Sequence, residues 1–374
     1  MNRETMERLI AIDARMFEHS GIGTYLRNLL AHLATLENEY VFEVICRRRE
    51  VLGGFAPARF RFVPAKSPIY SLSEQWEIAR LARHAQLLHC PHYNAPLLYR
   101  GKLVVTIHDL IHLTDPGVRR TLAARFYARP MFHLVARRAD CIIANSEFTK
   151  QQIVEHLAVS PSKVSVAYLG VNERFRPHDH HEAFLRAASL LGVSRPYILF
   201  VGNLKPHKNL KTLLQAFAQI GAHSDFDLEL VILGDDRKWK PGLVGESTRL
   251  GLGERVIFAR HVPYRDLPCV YAAAEILAMP SLIEGFGLPV LEAMACGTPV
   301  VCSRAASLPE VAGDAAEYCE PASVDDLAMA LERVLRSSQL QVTLRSKGLE
   351  RAKLFSWEEF ARRHCEVYQE ALGT

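Results

Sequence analysis

The stretch Ile276–Val301 reads ILAMPSLIEGFGLPVLEAMACGTPVV and has the pattern of a strand, a loop, a helix and a second strand. Its first four residues are apolar, as in a strand that is buried on both faces. The loop contains Gly285 and Gly287, and Pro289 suits the first turn of a helix that ends before Gly297. The stretch therefore predicts one step of a parallel sheet whose strands are connected by helices.

The same alternation of short apolar runs and helical patterns covers most of the 374 residues. The predicted strands are Leu9–Asp13, Tyr40–Cys46, Leu87–His89, Leu103–Ile107, Cys141–Ala144, Val164–Ala167, Tyr197–Val201, Leu228–Leu233, Val256–Phe258, Ile276–Met279 and Pro299–Cys302. The predicted helices include Tyr25–Leu36, Gln75–Arg83, Leu122–Val135, Glu182–Leu191 and Leu210–Ile220. This alternation predicts an α/β fold with helices on both faces of parallel sheets.

The pattern is interrupted once, by the polar stretch Asn172–His181. A chain of 374 residues is too long for one ordinary hydrophobic core, and each side of the interruption has its own series of strands and helices. We therefore predict two Rossmann-like, doubly wound domains that face each other across a cleft. Ligands of such sheets bind at the carboxyl ends of the strands.

Composition argues against several functional classes. The formal net charge is only +4, so a nucleic-acid partner is not indicated. The eight cysteines are scattered, which predicts reduced thiols rather than a disulfide framework or a zinc site. The N-terminus has no apolar signal core, and no apolar run reaches the ~20 residues of a transmembrane helix. We therefore predict a cytoplasmic protein that is not integral to a membrane.

The loop within Ile276–Val301 is suited to a diphosphate. The amides from Gly285 to Leu288 would lie at the N-terminus of the helix, where free N–H groups and the helix dipole favour an anion. Glu284 lies in the loop, whereas Glu292 lies one turn inside the helix. The two carboxylates can therefore reach different parts of one extended ligand.

Two further loops have residues that suit the same kind of ligand. Lys208 lies between the first strand of the second half and the next helix, where it would offer a diphosphate one charge and three donors. Ser20–Tyr25 falls between the first strand and the first predicted helix. There Gly21 and Gly23 would let the backbone approach a phosphate or sugar closely, although a tight turn explains them equally well.

A histidine follows another strand of the first half. His108 is placed at the carboxyl edge of the sheet, where ligands bind, although a lone histidine is as often a structural residue. Asp109 next to it would orient the loop. Ser146 follows the strand Cys141–Ala144 and is predicted to cap the next helix.

The Glu-x7-Glu segment with its Gly-Phe-Gly-Leu-Pro core closely resembles a large GT-B family of retaining glycosyltransferases. This family, glycosyltransferase family 4 or glycosyl transferases group 1, includes bacterial mannosyl- and glucosyltransferases. The resemblance implies that Glu284 binds hydroxyls of the donor sugar, that Glu292 holds the nucleotide ribose and that Lys208 binds phosphate. Asn203 stands where many members carry a second cation, and His207 where others carry arginine. One positive charge on the leaving group is therefore missing or supplied from elsewhere.

The resemblance extends to the first half, where it implies a Gly-rich loop that caps the donor phosphates and a histidine that contacts the donor sugar. It implies an acceptor-binding domain over 1–175, a nucleotide-sugar-binding domain over 176–355 and a terminal helix over 356–374 that crosses back to the first domain. The complete set of predicted site residues is His108, Lys208 and Glu284 for catalysis; Gly21, Gly23, Asn203, Lys208, Val262, Gly285, Phe286, Gly287, Leu288 and Glu292 for donor binding; and Asp109 and Ser146 for acceptor binding or loop orientation.

The predicted reaction is sugar transfer with retention of configuration, without a metal or another cofactor. Asp235-Asp236 and Asp325-Asp326 are adjacent pairs, and we expect no Asp-x-Asp motif that would hold a divalent metal. No nucleophile is evident opposite the sugar, which favours attack of the acceptor on the same face.

The loops around Lys208 and His108 look most like those of mannosyltransferases of polysaccharide assembly. GDP-mannose is therefore the favoured donor, with UDP-glucose and other UDP-sugars as alternatives, because base selection lies in loops such as Arg260–Pro263.

The segment Val118–Arg138 combines basic and large apolar side chains. They are Arg119, Arg120, Arg125, Arg129, Arg137 and Arg138 beside Phe126, Tyr127, Met131 and Phe132. A basic amphipathic surface can lie on anionic lipid, which predicts peripheral contact with the cell membrane and a glycan or polyprenyl-diphosphate-linked acceptor. The alternative is a solvated helix that packs its aromatic residues inward.

Two other functions remain as alternatives. The first is a GT-B relative that epimerises UDP-N-acetylglucosamine, against which the pairing of Glu284 with Glu292 argues. The second is a non-catalytic subunit that binds a nucleotide sugar, against which the joint presence of His108, Lys208 and both glutamates argues.

Overall fold

The computed structural model describes residues 8–49, 59–114, 122–223 and 226–373. These residues form two compact units, each with its own parallel sheet. Unit 1 extends from the N-terminal strand to Gly170 and also contains the segment from Ser356 onward. Unit 2 contains Val171–Phe355. The prediction of two Rossmann-like α/β domains is confirmed.

The described part of unit 1 contains a seven-stranded sheet in the order β3-β2-β1-β4-β5-β6-β7, and all neighbouring strands are parallel. Its strands are β1 (Arg8–Asp13), β2 (Tyr40–Cys46), β3 (Phe60–Pro64), β4 (Leu87–Cys90), β5 (Lys102–Ile107), β6 (Cys141–Ala144) and β7 (Val164–Val166). The chain order reverses between β1 and β4, which is the switch point at which Rossmann-like sheets bind ligands.

Helices cover both faces of this sheet. They are α1 (Ser20–Thr35), α2 (Leu72–Leu81), α3 (Ile111–Thr114), α4 (Leu122–Arg138), α5 (Glu147–Leu157) and the terminal helix α14 (Trp357–Leu372). In α1 the leucines 26, 29, 30 and 33 are completely buried, because their spacing of three and four residues places them on one face. The helices α2, α4 and α5 bury their apolar faces in the main core cluster of the unit.

The described part of unit 2 contains a six-stranded parallel sheet in the order β10-β9-β8-β11-β12-β13. Its strands are β8 (Tyr197–Val201), β9 (Glu229–Leu233), β10 (Val256–Ala259), β11 (Ile276–Met279), β12 (Val300–Ser303) and β13 (Glu317–Cys319). Its helices are α6 (His180–Leu191), α7 (Leu210–His223), α8 (Lys240–Arg249), α9 (Leu267–Ala272), α10 (Leu288–Ala295), α11 (Leu308–Ala312), α12 (Val324–Arg336) and α13 (Ser338–Ala352). The switch point lies between the neighbouring strands β8 and β11, so the loops that follow these two strands are adjacent.

Three features differ from the sequence-based prediction. The strands β3 and β13 were not predicted, because both are short edge strands that contain charged residues and lack a continuous apolar run. The first helix begins at Ser20 rather than at Tyr25. Gly21 and Gly23 therefore lie in the first turn of α1, and the prediction of a Gly-rich loop between β1 and this helix is wrong.

The basic segment 118–138 is only partly described. Arg119 and Arg120 lie outside the described residues, and the described side chains begin at Ala128. Met131 and Phe132 are buried, as the alternative of inward packing predicted. Arg138 donates hydrogen bonds to the carbonyl oxygens of Tyr99 and Gly101, both at 2.7 Å. Its guanidinium is therefore engaged in holding the loop before β5.

The eight cysteines are free, and six of them are buried. In the described part of the chain, no helix has both the length and the apolar character needed to cross a bilayer.

Candidate active site

The loop between β11 and α10 is shaped by a glycine with a left-handed backbone. Gly287 precedes the first residue of α10 with φ at +104°, a conformation that favours glycine. A Cβ atom at this position would lie 2.7 Å from Cδ2 of Leu308. Pro289 follows in the first turn of α10, where its missing N–H leaves no hydrogen bond unmade. The local sequence thus fixes how the chain enters this helix.

Lys208 and Glu284 form a buried ion pair at the switch point of unit 2. Lys208 lies in a 3₁₀ turn after β8, and Glu284 lies in the loop after β11. The ammonium nitrogen is 2.6 Å from Oε1 of Glu284, and each residue is only 8% exposed. The sequence predicted that both side chains would serve the same ligand, and the structure brings them into direct contact.

Asn209 holds these two loops together. Its backbone is left-handed with φ at +58°, and its amide nitrogen donates to the carbonyl oxygens of Pro280 and Pro321 at 3.1 and 2.6 Å. The amide of Leu282 also donates to the carbonyl oxygen of His207 at 2.8 Å. The relative positions of Lys208 and Glu284 are therefore set by the backbone as well as by the ion pair.

Two serines that sequence reasoning did not single out support Glu284. The Ser281 hydroxyl donates to Oε1 of Glu284 at 2.6 Å. The Ser307 hydroxyl is 3.0 Å from the carbonyl oxygen of Glu284 and 2.9 Å from that of Phe286. Ser281 stands in the quoted motif, three residues before Glu284, whereas Ser307 is distant in sequence and gave no signal.

Glu292 lies within α10 and faces a buried tyrosine. The Tyr271 hydroxyl donates to Oε2 of Glu292 at 2.7 Å, and Glu292 is 7% exposed. Burial raises the pKa of Glu292 to about 7, although the hydrogen bond from Tyr271 acts in the opposite direction. Burial and the neighbouring Glu292 raise the pKa of Tyr271 well above its usual value, so this residue stays a donor. A carboxylate with a pKa near neutrality changes its charge state within the physiological range.

The other predicted residues of unit 2 are distributed around these carboxylates. Gly285, Phe286 and Gly287 are buried in the loop before α10, and Leu288 is partly buried as the first residue of that helix. Val262 is buried in the loop after β10. Asn203 is exposed, and its side-chain oxygen accepts a hydrogen bond from the amide of Lys205 at 3.2 Å.

His108 follows β5 in unit 1 and is held in one orientation. Burial lowers its pKa, which favours the neutral imidazole. Nε2 lies 3.0 Å from the carbonyl oxygen of Pro91 and therefore donates to it, which leaves Nδ1 as an acceptor. The ring packs edge-to-face on Tyr25 with the centroids 4.9 Å apart. The neutral imidazole offers a lone pair that can accept a hydrogen bond from a hydroxyl.

A buried hydrogen-bond network joins the terminal helix to the sheet of unit 1. Its members are Tyr25 in α1, His89 in β4, Thr106 in β5, and His364 and Tyr368 in α14. The Tyr25 hydroxyl lies 2.7 Å from Oγ1 of Thr106 and 2.5 Å from Nε2 of His364. His89 lies 2.9 Å from Oγ1 of Thr106 through Nε2 and 2.8 Å from the Tyr368 hydroxyl through Nδ1.

The protons of this network can be assigned. Burial lowers the pKa of His364 to about 4 and that of His89 well below its usual value, so both rings are neutral near pH 7. Nδ1 of His364 lies 2.7 Å from the carbonyl oxygen of Phe360 and must donate to it. The Tyr25 hydroxyl then donates to His364, and Thr106 donates to Tyr25. Tyr25, which supports His108, is thus anchored through groups that are far apart in sequence and were missed by sequence reasoning.

The remaining predicted residues of unit 1 have local structural roles. A Cβ atom on Gly23 would lie 2.3 Å from the carbonyl oxygen of Phe17, so glycine is required there, whereas Gly21 is exposed and has open space. Asp109 accepts a hydrogen bond from the amide of Ile111 at 3.0 Å and so orients the start of α3. Ser146 caps α5 by accepting from the amide of Thr149, which confirms the predicted capping role.

The expectation about acidic motifs needs a correction. The chain contains one Asp-x-Asp sequence, Asp225-Phe226-Asp227, before β9. Asp225 lies outside the described residues, whereas Asp227 is exposed and ion-paired with Arg195 at 3.1 Å. Asp227 precedes the amino end of β9, while Lys208 and Glu284 follow the carboxyl ends of their strands. Asp227 therefore lies at the edge of the sheet opposite the Lys208–Glu284 pair.

Comparison with known proteins identifies relatives over most of the chain. Residues 19–175 match the family described as glycosyltransferase family 4, and residues 181–351 match glycosyl transferases group 1. O-antigen chain mannosyltransferase B of Escherichia coli is 31% identical over 76% of this chain and 74% of its own length. The MMP alpha-(1->4)-mannosyltransferase of Mycolicibacterium hassiacum is 32% identical over 72% of this chain and 66% of its own length.

Solved structures show the same fold. A sucrose-phosphate synthase from Thermosynechococcus elongatus matches 98% of this chain and 99% of its own, with a TM-score of 0.79 at 21% identity. The Anabaena protein HepE in complex with UDP and glucose matches 97% of this chain and 100% of its own, with a TM-score of 0.78 at 19% identity. The fold is that of the GT-B glycosyltransferases. The chain belongs to the family of glycosyl transferases group 1 and glycosyltransferase family 4, and it is a hexosyltransferase.

Proposed function

We propose that the protein is a retaining glycosyltransferase that moves a hexose, with mannose favoured, from a nucleotide diphosphate sugar to an acceptor in cell-surface polysaccharide synthesis. The observation that carries the proposal is the buried Lys208–Glu284 pair beside the N-terminus of α10, with Glu292 in the same helix. A nucleotide sugar needs three such groups. Lys208 offers a cation for the phosphate, Glu284 a carboxylate for the sugar hydroxyls, and Glu292 a carboxylate for the ribose.

Lys208 and α10 would stabilise the leaving group. As the bond between the anomeric carbon and the diphosphate oxygen breaks, negative charge develops on the phosphate. The Lys208 ammonium and the positive end of the α10 dipole supply compensating charge, which is the type of stabilisation that contributes most to such reactions. This arrangement supports a transfer that does not require a divalent metal.

Retention is proposed through attack on the face from which the leaving group departs. The acceptor hydroxyl oxygen forms its bond to the anomeric carbon while the diphosphate oxygen leaves, and the leaving phosphate takes the acceptor proton. Glu284 is engaged with Lys208 and Ser281, which favours a role in binding hydroxyls over a role as nucleophile. His108, whose neutral ring leaves Nδ1 as an acceptor, is proposed to accept a hydrogen bond from a hydroxyl of the donor sugar.

The donor and acceptor are proposed from the relatives. Two of them are named as mannosyltransferases, one of an O-antigen chain, which favours GDP-mannose and a glycan or polyprenyl-diphosphate-linked acceptor. HepE was solved with UDP and glucose and with UDP-glucose, so UDP-sugars belong in any test. We propose a cytoplasmic location, with peripheral contact at the inner face of the membrane.

A donor panel tests the proposal directly. The protein is incubated with GDP-mannose, UDP-glucose, UDP-galactose and UDP-N-acetylglucosamine, with and without a metal chelator, and nucleotide release and thermal shift are measured. The expected result is release of GDP from GDP-mannose that EDTA does not abolish and that Glu284→Gln lowers at least tenfold. Nuclear magnetic resonance of the product is expected to show the α-anomeric configuration of the donor.

Other outcomes would contradict the proposal in distinguishable ways. An inverted product would refute retention, and complete loss of activity in EDTA would refute metal independence. Conversion of UDP-N-acetylglucosamine to its epimer would indicate an epimerase. Donor binding without release, across donors and with added glycan acceptors, would indicate a binding subunit.

A further inference from the structure

The helix α2 in unit 1 presents two large apolar side chains to solvent. Leu72 is 84% exposed and Trp76 is 72% exposed. They are four residues apart, so they lie next to each other on one face of the helix. Leu98, from the loop between β4 and β5, is 46% exposed, and it lines the same open groove as Trp76. Together these three exposed residues define an apolar surface of the unit: Trp76 and Leu98 line one groove, and Leu72 is the neighbour of Trp76 on the same face of α2.

Hydrogen bonds hold this surface in a fixed arrangement. The Gln75 side chain donates to the carbonyl oxygen of Ala95 at 3.3 Å and accepts from the amide of Leu97 at 2.9 Å. Ser71 caps α2 by accepting from the amide of Glu74 at 3.3 Å. The surface is therefore preformed, and its apolar residues remain exposed although the helix and the loop that carry them are anchored.

The uncompensated charge around this surface is positive. Arg80 and Arg100 line the groove, are exposed, and form no ion pair within the described part of the chain. The acidic groups of the groove are engaged elsewhere. Glu77 accepts hydrogen bonds from the amides of Lys66 and Ser67 at 3.0 and 2.6 Å.

The second acidic residue of the groove is also compensated. Asp140 is paired with Lys102 at 3.1 Å and with Arg138 at 3.5 Å. The exposed tryptophan and the two leucines lie beside two arginines that have no ion pair among the described residues. This combination complements a surface with an apolar interior and anionic headgroups. Tryptophan suits the interface between headgroups and acyl chains, because its ring is apolar and its N–H is polar.

We propose that Leu72, Trp76 and Leu98, with Arg80 and Arg100, form a lipid-docking surface that binds unit 1 to the face of an anionic phospholipid bilayer. The apolar side chains enter the level of the headgroups, and the two guanidinium groups contact lipid phosphates. This surface is separate from the segment 118–138 considered above, and the proposal does not depend on the donor or the acceptor of the transfer reaction.

Vesicle sedimentation tests the proposal with the full chain. Binding is measured to vesicles of phosphatidylcholine alone and of phosphatidylcholine mixed with phosphatidylglycerol, at low and high salt. The expected result is sedimentation with the phosphatidylglycerol vesicles only, weakened by salt because the charges are exposed. The intrinsic fluorescence should shift to the blue on binding, because Trp76 leaves water.

Variants separate this surface from other parts of the chain. Leu72→Ser combined with Trp76→Ser, and separately Arg80→Glu combined with Arg100→Glu, are expected to lower the apparent partition coefficient at least tenfold. Val342→Ser combined with Arg345→Glu on α13 is the matched control in unit 2 and is expected to bind as the wild type does. Far-ultraviolet circular dichroism checks the fold, and nucleotide release with a soluble acceptor is expected to remain unchanged.

Several results would overturn the proposal. Equal sedimentation with both vesicle types, or no sedimentation, would show that anionic lipid is not the partner. Wild-type binding by both surface variants would place the contact elsewhere. Self-association that Trp76→Ser abolishes, without vesicle binding, would identify the surface as a contact between copies of the chain.

Discussion

Replacement of Lys208 by methionine removes the positive member of a buried pair and leaves the Glu284 carboxylate with the hydrogen bond from the Ser281 hydroxyl. Breaking a buried ion pair by removing one partner costs about 3–5 kcal/mol of stability, because the other charge stays buried without compensation. A domain of this size loses about 2–4 °C of melting temperature per kcal/mol. We therefore expect Lys208→Met to lower the melting temperature of unit 2 by about 10 °C.

The double-mutant cycle with Glu284→Gln isolates the interaction. Glu284→Gln removes the buried charge, so Lys208→Met should cost much less in that background, with a coupling energy of about 2 kcal/mol or more. The exposed pair Lys353–Glu350 has the same nitrogen–oxygen distance of 2.6 Å, but its side chains are 68% and 70% exposed. Lys353→Met is therefore the matched control and should change stability by less than about 1 kcal/mol.

Calorimetry and denaturant unfolding measure these differences, and donor-dependent nucleotide release measures the effect on transfer. Lys208→Met should lower kcat by about 10²–10³-fold, the usual effect of removing one group that stabilises developing negative charge. The reasoning would be refuted if Lys208→Met were as stable as Lys353→Met. It would equally be refuted if the single-mutant effects of Lys208→Met and Glu284→Gln were additive.

The remaining predictions concern three positions. Burial raises the folded-state pKa of Glu292 to about 7 from 4.5, so its contribution to stability is present below about pH 4.5 and is lost as the pH rises to 7. Relative to the wild type, Glu292→Gln should therefore gain about 2.5 kcal/mol in free energy of unfolding between pH 5 and pH 8, measured by unfolding at both values. Tyr25→Phe keeps the ring on His108 but removes two hydrogen bonds, so urea unfolding should show a loss of about 1–3 kcal/mol, and an unchanged midpoint would contradict the network. Gly287→Ala should lower the free energy of unfolding by about 2–4 kcal/mol, because the backbone is left-handed and the added Cβ would collide with Leu308. If Leu308→Ala in the double variant restores none of this stability, the collision with Leu308 does not contribute to the loss.

The fold was predictable because its signals are local. A buried parallel strand is a short apolar run, and a helix such as α1 repeats its leucines every three and four residues. The strands β3 and β13 gave no such signal, because each lies at the edge of its sheet and carries charged side chains. The start of α1 was misplaced because glycines 21 and 23 were interpreted as loop residues, whereas one of them is required by a close backbone approach inside the helix.

The candidate site was predictable only where the motif itself carries the chemistry. The spacing within Ile276–Val301 indicated that Glu284 and Glu292 serve one ligand, and the position of Lys208 between a strand and a helix indicated a cation for the same ligand. The residues that adjust these groups come from other elements: Ser307 precedes α11, and Tyr271 lies in α9. Their roles depend on tertiary contacts, and no local pattern distinguishes a serine or tyrosine that supports a carboxylate from one that does not.

The direct contact between Lys208 and Glu284 has a consequence for selectivity. The two charges satisfy each other in this contact, so a ligand that replaces it must offer an anion to Lys208 and hydroxyl donors to Glu284 at the same time. Free phosphate would compensate the charge of Lys208 but leave Glu284 as a buried carboxylate without a counter-ion. A free sugar would donate to Glu284 but leave Lys208 as a buried ammonium without a counter-ion. Each of these ligands therefore incurs a desolvation penalty that a sugar diphosphate avoids, because its hydroxyls and its phosphate are adjacent. The pair thus favours the intact donor over either of its parts, and competition assays should show that mannose and inorganic phosphate each inhibit far more weakly than GDP-mannose binds.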